Sequence, residues 1–438
     1  MEDKARLFLQ KFVQEFPAAL EKDQPLPASP QSRRVSEEEL PGESLELGLR
    51  LLSSRDAPTG LSTLLCRAAM TRLLADDLSP FHCSREAEPD NGEEEVLLQS
   101  EAVQRVFINK MIEVALEWNQ DLPPLPPPTF QCCVHAIKNG RRKMEDKHVL
   151  LSEFNQLFGV EDGVQRAFYA VFDGHGGVDA ATFAATHLHV NLSRQRALQS
   201  SPGPALKAAF KRTDDMFRSK AQRERLRSGS TGVVVLIHDQ ELTVAWLGDS
   251  QALLVREGQE VVLMEPHKPE REDEKQRIED LGGCVTYMGC WRVNGTYAVS
   301  RAIGDFDQKP YVSSDADSST VRLQGNEDYV LLACDGFFDA VQPSEVPQLV
   351  MGALQELPLP EGASEAQPDG GTGQTVAQKL VAHAKEAGSS DNITVLLVFL
   401  RPLPDLGCAT GGRCATGGRC ASPQSSAEAA PSCGEAET

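Results

Sequence analysis

Apolar and polar residues follow two different patterns along the chain, and the pattern changes near residue 129. In residues 5–16 and 61–74, leucine, phenylalanine and alanine recur every three or four positions, which predicts short amphipathic helices. Residues 93–119 continue the pattern with one apolar stripe, formed by Val103, Phe107, Met111, Val114 and Trp118. We expect this last helix to pack against the domain that follows it.

Two segments interrupt the helical region. Residues 24–42 are rich in proline, serine and charge, which predicts a mobile connector. The sequence LPPLPPP at residues 122–128 cannot continue a helix and favours polyproline II geometry. We therefore predict a helical, partly disordered regulatory or targeting region over residues 1–121 and a stiff linker over residues 122–129. Binding of the linker to an SH3-type domain is the alternative.

Beyond the linker, short runs of β-branched, aromatic and leucine residues bounded by glycine predict strands. These runs lie around Tyr169 and in residues 233–237, 242–247, 252–255, 330–334 and 393–400. Helical windows alternate with them at residues 204–218, 269–281 and 375–387. The combination predicts an α+β layered domain over residues 130–402. Residues 403–438 contain the repeat GCATGGRCATGGRCAS, which predicts a disordered low-complexity tail.

Three of the predicted strands run into an aspartate, namely Asp173, Asp249 and Asp335. Taken one at a time, each aspartate is better explained as a turn residue. Three at three strand ends, one of them followed by His175 and two glycines, instead favour a site for a hard metal ion. Converging carboxylates repel each other unless a cation lies between them.

The composition argues against several classes of function. The 438 residues include 43 Lys and Arg against 64 Asp and Glu, a formal net charge of -21 that disfavours nucleic acid and anionic lipid as partners. The charged N-terminus lacks the apolar core of a signal peptide, and no apolar run is long enough to span a membrane. The 11 cysteines form no Cys-x-x-Cys pair. We predict free thiols, no membrane insertion and a cytosolic protein, with a nuclear pool as a further location.

Six motifs identify a family resemblance. They are, in order, MED at 144–146, FDGHGG at 172–177, GDS at 248–250, SRAIGDFD at 300–307, ACDGFFD at 333–339 and SSDNIT at 389–394. This series resembles the metal-dependent protein phosphatases of type 2C over residues 131–400. The resemblance implies a four-layer αββα sandwich, in which two antiparallel sheets are flanked by helices. It also implies hydrolysis of phosphoserine and phosphothreonine in proteins.

The expected cofactors are divalent cations. Oxygen ligands without clustered cysteine or histidine select Mg²⁺ or Mn²⁺ over zinc or copper. The resemblance implies that Asp173 bridges two such ions. The other ligands that it implies are Glu145, Asp146, the carbonyl of Gly174, Asp335 and Asp391. Asp249 is implied to hold a weaker third ion with Asp335, while Asp339 either shares that neighbourhood or acts as a helix N-cap.

The resemblance also implies catalytic roles. Hydroxide held between the two ions would attack phosphorus in line with the leaving oxygen. Arg141 matches the family's phosphate-binding arginine, and its planar guanidinium can hold two phosphoryl oxygens. The neighbouring Arg142 is the confounding candidate, and solvent exposure is its simpler explanation. His175 would protonate the departing seryl or threonyl oxygen as a general acid.

The chain further resembles the phosphatases of calcium/calmodulin-dependent protein kinases. The residues that carry this likeness are HAIKN at 135–139, NQLFG at 155–159, WRVNG at 291–295 and the N-terminal extension. It implies that phosphorylated protein kinases are substrates, calmodulin-dependent and p21-activated kinases among them, with effects on the actin cytoskeleton. It also implies PIX-type exchange factors as partners.

Two other classes of function compete with this one. A cysteine-based phosphatase is excluded, because Cys83 would need an arginine at position 89, where the chain has proline. The remaining alternative is a phosphoprotein-binding scaffold or adaptor that acts mainly through the N-terminal region. The presence of every implied acidic ligand argues against a loss of catalysis.

Overall fold

The computed structural model describes residues 2–83, 96–127, 130–356 and 371–406. Within these ranges, the part before residue 130 consists of four α-helices and a small two-stranded sheet. Its elements are α1 (Glu2–Glu15), β1 (Arg34–Ser36), α2 (Leu40–Ser53), α3 (Thr59–Leu74), β2 (Leu97–Gln99) and α4 (Ser100–Trp118). The strands β1 and β2 are antiparallel.

Both helices and strands occur after residue 130. The first elements are β3 (Gln131–Ile137), β4 (Lys147–Leu151), α5 (Phe154–Phe158), β5 (Arg166–Phe172), β6 (Gly174–His175), α6 (Asp179–Ser193), α7 (Pro202–Glu224), β7 (Gly229–Ser230), β8 (Gly232–His238), β9 (Glu241–Leu247), β10 (Gln251–Arg256) and β11 (Gln259–Val262). They are followed by α8 (Glu272–Asp280), β12 (Val285–Tyr287), β13 (Trp291–Val293), β14 (Ile303–Gly304), β15 (Asp317–Arg322), β16 (Glu327–Ala333), α9 (Asp335–Phe338), α10 (Val346–Gln355), α11 (Gly371–Glu386), β17 (Ile393–Phe399) and α12 (Leu403–Leu406).

Two five-stranded antiparallel sheets form the centre of the fold. The first has the order β11-β10-β16-β17-β3, and the second has the order β15-β9-β8-β5-β4. Alternate side chains of each strand point between the sheets, where Tyr169, Val235, Leu332 and Val398 belong to one buried core. Helices α9, α10 and α11 cover the outer face of the first sheet, and α6 and α7 cover that of the second. The predicted four-layer αββα sandwich is therefore confirmed.

The N-terminal helices share a core with this sandwich. Buried side chains of α3 and α4, such as Leu65 and Phe107, belong to the same apolar cluster as Phe154 of α5 and Phe183 of α6. Ion pairs add to the contact, because Glu39 and Glu43 of the N-terminal region lie 3.1 and 3.3 Å from Arg223 and Lys220 of α7. The N-terminal region thus forms an additional layer outside α6 and α7.

The predicted helix over residues 93–119 is present but packs differently from our expectation. It begins at Ser100, and residues 93–95 lie outside the described part of the chain. Four of the five stripe residues are buried, but α4 packs mainly against α1 and α3. The contacts with the sandwich come instead from α2 on α6 and from α3 on α5. The apolar stripe therefore predicted correctly that this face of the helix is buried, but the expectation that it packs against the following domain was wrong.

The predicted mobile connector over residues 24–42 is wrong in its second half. Residues 34–36 form β1 against β2, and α2 begins at Leu40. The turn between them is closed by Ser36 N–H, which donates to the Glu39 carboxylate at 3.0 Å, and by Glu39 N–H, which donates to Ser36 Oγ at 3.3 Å. The strand partner lies more than sixty residues away along the chain, so local composition cannot reveal it.

The structure describes only part of the chain at the two remaining predicted boundaries, the linker at residues 122–129 and the end of the domain at residue 402. Leu122 and Leu125 of the proline-rich segment pack against the N-terminal core, and residues 128–129 lie outside the described residues. At the other end, α12 and the buried Leu406 extend the ordered chain beyond the boundary predicted at residue 402. Residues 407–438 of the predicted tail are outside the described ranges. Among the helices that are described, none has the length and apolar character needed to cross a membrane.

A buried histidine in the second helical layer should make stability depend on pH. His189 of α6 is 6% exposed and packs against the rings of Phe158 and Phe168, and burial lowers its pKa to about 4. The folded state therefore favours neutral His189, and this stabilising contribution is complete above the unfolded pKa of about 6.5 and is lost as pH falls toward 4. Between pH 7 and pH 5 we expect a loss of about 2 kcal/mol from this residue.

The measurement is the free energy of urea unfolding at both pH values for the wild type and His189→Phe. The variant should lose about 2 kcal/mol less than the wild type. His82→Phe, at an exposed histidine, is the control and should match the wild type. An identical pH dependence in His189→Phe and the wild type would contradict the prediction.

Candidate active site

Antiparallel pairing of the strands places the predicted acidic residues at one edge of the sandwich. Strands β5, β9 and β16 end just before Asp173, Asp249 and Asp335. In the same sheets, β4 starts with Lys147 opposite Phe172, and β17 places Val395 opposite Ala333. The residues that precede β4 and β17, Asp146 and Asp391, therefore reach the edge where β5 and β16 end.

A cleft of about 830 Å³ opens at this edge. Among the residues that line it are Arg141, Glu145, Asp173, Gly174, His175, Asp249, Asp335 and Asp391. Asp146, the remaining predicted ligand, is 3% exposed and lies below the cleft surface, with a carboxylate oxygen within 4.8 Å of an Asp173 oxygen. The structure thus brings all of the predicted site residues together, while their individual roles stay predictions.

The carboxylates perturb one another strongly. Desolvation and the nearby charges of Asp335, Asp146 and Asp249 raise the pKa of Asp173 well above its usual range. Desolvation, with smaller contributions from neighbouring carboxylates, raises the pKa of Asp146 to about 6 and that of Asp249 to about 7. The pKa of Asp335 is also raised, first by desolvation. Without a compensating positive charge, the site therefore favours protonated carboxyl groups.

The donor set fits a hard divalent cation. Asp146 Oδ1 and Asp249 Oδ1 are buried and have no hydrogen-bond partner among the described residues. Such oxygens are costly to bury unless they bind a proton or a metal ion. Cys334 lies close to Asp146 and Asp173, but burial raises the pKa of its thiol well above the usual value, so it stays protonated as a small core residue. The remaining ligands are carboxylate and carbonyl oxygens, which suit Mg²⁺ or Mn²⁺.

Asn392 holds together the two loops that carry Arg141, Glu145 and Asp391. Its side-chain oxygen accepts from the Glu145 N–H at 2.8 Å, and its amide group donates to the carbonyls of Lys138 and Lys143 at 2.8 and 3.0 Å. Beside it, the Arg141 guanidinium forms an ion pair with Asp391. Sequence reasoning assigned no role to Asn392, although it lies in the SSDNIT motif directly after Asp391.

Close backbone contacts explain two glycines of the motifs. A Cβ atom on Gly174 would lie 2.5 Å from the Glu145 carbonyl oxygen, so only glycine lets these segments meet. Gly336 of α9 is pressed against the Asn392 carbonyl in the same way. These contacts bring the segment before β4 and the segment before β17 up to the strand ends that carry Asp173 and Asp335.

His175 borders the cleft and has a partner that the sequence did not indicate. Its side chain is 33% exposed, and its Nε2 lies 2.7 Å from Oδ2 of Asp305, which is 1% exposed. Burial disfavours the charged imidazolium, but the hydrogen bond and charge of Asp305 outweigh it and raise the pKa of His175. Asp305 belongs to the SRAIGDFD motif, so that motif was the available signal.

Asp339 does not cap a helix N-terminus. It lies at the C-cap position of α9, because that helix already begins at Asp335. Its side chain is 66% exposed and lies 3.5 Å from Lys268. The alternative of a position near Asp249 and Asp335 remains, since the charge of Asp339 contributes to raising the pKa of both.

Comparison with known proteins identifies the family. The family "Protein phosphatase 2C" matches residues 130–393. Human protein phosphatase 1F is 51% identical over 410 residues, which cover 91% of this chain and 88% of the human protein. Mouse protein phosphatase 1E is 50% identical over 381 residues, which cover 86% of this chain and 49% of the mouse protein. The chain therefore belongs to the protein phosphatase 2C family and is a metal-dependent protein serine/threonine phosphatase.

Two solved structures show how far the fold is shared. A C. elegans sex-determining protein superposes with a TM-score of 0.71 at 24% identity, covering 92% of this chain and 97% of that one. A serine-threonine phosphatase 2C from Toxoplasma gondii superposes with a TM-score of 0.52, also at 24% identity, and covers 64% of this chain. The first match extends well beyond residues 130–393, so the fold similarity includes much of the N-terminal layer.

Replacing the central aspartate should separate catalysis from folding. We expect Asp173→Asn to lower hydrolysis of a phosphothreonine peptide by at least about a hundredfold, because the site loses its most crowded carboxylate. In a chelating buffer the melting temperature should stay the same or rise, since one repulsive charge is removed. The stabilisation that Mn²⁺ gives the wild type should be lost.

The measurements are turnover and thermal unfolding with and without Mn²⁺. Asp315→Asn, at an exposed aspartate that does not line the cleft, is the matched control and should behave as the wild type. Undiminished turnover of Asp173→Asn would rule out a ligand role for Asp173.

Proposed function

We propose that this phosphatase hydrolyses phosphoserine and phosphothreonine with two Mg²⁺ or Mn²⁺ ions held by Asp173, Glu145, Asp146, the Gly174 carbonyl, Asp335 and Asp391. A weaker third ion is assigned to Asp249 with Asp335. The observation that carries this proposal is the crowding of carboxylates with raised pKa values in a cleft bordered by arginines. When bound, the cations offset the carboxylate charge and activate water for attack on phosphorus.

The residues around the acidic cluster have complementary tasks. Arg141 is 60% exposed and already faces a carboxylate, so its guanidinium can turn to two oxygens of a phosphoryl group. Gly174, Gly176 and Gly177 line the cleft with backbone alone, which leaves room for the phosphoryl group beside the acids. His175 donates a proton to the seryl or threonyl oxygen as the bond to phosphorus breaks.

The two neighbouring arginines should differ in their effect on substrate binding. Both line the cleft, but Arg141 makes the ion pair with Asp391 at its acidic edge. Arg141→Ala is expected to raise KM for a phosphopeptide about tenfold or more, because a charge-assisted bidentate contact is lost. Arg142→Ala is the matched control and should change KM by less than about threefold. Equal effects of the two substitutions in steady-state kinetics would leave the Arg141 assignment unsupported.

For substrates, we propose phosphorylated protein kinases, including calmodulin-dependent and p21-activated kinases, and a resulting effect on the actin cytoskeleton. The likeness of residues 135–139, 155–159 and 291–295 to kinase-directed phosphatases supports this proposal. PIX-type exchange factors or SH3-type domains are the proposed partners of the N-terminal and proline-rich segments. The proposed location is the cytosol with a nuclear pool.

The packing of the N-terminal layer affects how recruitment can be tested. Removing residues 1–127 would expose Phe154, Phe183 and other members of a shared core, so a truncated chain confounds recruitment with folding. Recruitment is better tested on the intact chain through exposed residues. Arg33 and Lys22 of the N-terminal layer line a surface groove and make a suitable charge-reversal pair.

The kinase proposal predicts substrate preference. The intact chain should have a kcat/KM for a phosphorylated calmodulin-dependent kinase at least about tenfold above that for phosphocasein, because folded kinases offer contacts beyond the phosphoresidue. Lys22→Glu/Arg33→Glu should lower the value for the kinase only, if the groove takes part in recruitment. The control is p-nitrophenyl phosphate, which should be hydrolysed equally by all variants. No preference between kinase and phosphocasein would overturn the kinase assignment, and kinase binding without turnover would favour the scaffold alternative.

A further inference from the structure

The strongest unassigned group near the site is the buried Asp305 carboxylate. Its Oδ2 lies 2.7 Å from Nε2 of His175, and its Oδ1 is buried without a hydrogen-bond partner among the described residues. Asp305 does not line the cleft, so it reaches a substrate only through His175. Isolated buried carboxylates are unfavourable unless a charged or donating partner satisfies them.

The backbone around Asp305 holds it opposite His175. A small sheet has the order β14-β7-β6, in which β14 ends at Gly304 and β6 ends at His175. Gly229 of β7 faces the Asp305 carboxylate so closely that a Cβ atom there would overlap it. Gly304 and Asp305 have φ angles of 80° and 48°, which turn the chain sharply at the end of β14. The backbone of β7 and the turn after β14 therefore fix the position of the Asp305 carboxylate.

Helix α7 supports the same turn from the other side. Asp214 of α7 is fully buried, and its Oδ1 accepts from the Gly304 N–H at 2.8 Å. Lys309 lies 3.5 Å from Asp214 and donates to the Ala302 carbonyl at 2.7 Å. These contacts fix the residues on both sides of Asp305, so its position depends on α7 as well as on the small sheet.

We propose that Asp305 is a positioning residue that orients the His175 ring and holds a proton on its Nε2. With Nε2 engaged, Nδ1 is the ring nitrogen that can donate to a substrate, and it has no hydrogen-bond partner among the described residues. A carboxylate that orients a catalytic histidine in this way is a recurring device in enzymes. The inference deepens the proposed role of His175 and does not depend on which phosphoprotein is the substrate.

The proposed step moves one proton from His175 to the leaving oxygen and recovers one from water. Water oxygen forms a bond to phosphorus while the bond from phosphorus to the seryl or threonyl oxygen breaks. The departing oxygen takes the proton from Nδ1, and the proton released by the attacking water restores the imidazolium. The products are the free hydroxyl side chain and inorganic phosphate, and the step requires no proton transfer to Asp305.

The test measures how Asp305→Asn hydrolyses two substrates whose leaving groups differ in their need for a proton. An alkoxide leaving group needs a proton, so kcat for a phosphothreonine peptide should fall about a hundredfold, within the range for loss of a general acid. p-Nitrophenolate leaves without one, so kcat for p-nitrophenyl phosphate should change by less than about threefold. Asp315→Asn is the control and should affect neither substrate. An equal loss on both substrates would assign Asp305 to the fold alone and overturn the proposal.

Two further measurements keep the proposal falsifiable. Asp305→Asn combined with His175→Gln should be no slower on the peptide than His175→Gln alone, and additive losses would contradict action through His175. In the wild type, nitrogen NMR of labelled histidine should show a hydrogen-bonded Nε2–H on His175, which does not require the variant to fold. If that proton is missing while the chain still dephosphorylates the peptide, the proposed action of Asp305 on His175 is refuted although the phosphatase assignment stands.

Discussion

The main constraint on the structure is that several buried carboxylates lie together, and repel one another, at one edge of two packed sheets. Asp146, Asp173, Asp249 and Asp335 all have raised pKa values, and burial is the first cause for each. Divalent cations can relieve this repulsion, so affinity for metal is built into the fold as local electrostatic strain. The hydrogen bonds of Asn392 and the close contact at Gly174 hold the loops that complete the acidic cluster.

Helix α7 links the catalytic edge to the N-terminal layer. On one side, Asp214 supports the turn that carries Asp305. On the other, Arg223 and Lys220 pair with Glu39 and Glu43 of the N-terminal region. Since the extension also shares an apolar core with α6 and α7, it is a structural part of the enzyme.

Much of the sandwich could be predicted from local patterns. The strands that carry Asp173, Asp249 and Asp335 are long, apolar and bounded by glycine, and each is present as predicted. The elements that were missed or misplaced depend on distant partners. β1 exists because β2 pairs with it, and α4 is buried by α1 and α3 rather than by the sandwich. Propensity within a short window contains no information about such pairings.

The acids, Arg141 and His175 could be named from the sequence because they lie in motifs whose order resembles that of a known phosphatase family. Asp305 and Asn392 lie within the same motifs, but the motif letters do not say which atoms they contact. The sequence by itself determined the class of chemistry, since residue type decides which ions and protons a site can hold. Only the tertiary structure decided which groups meet, because antiparallel pairing joins segments that lie more than 250 residues apart in the sequence.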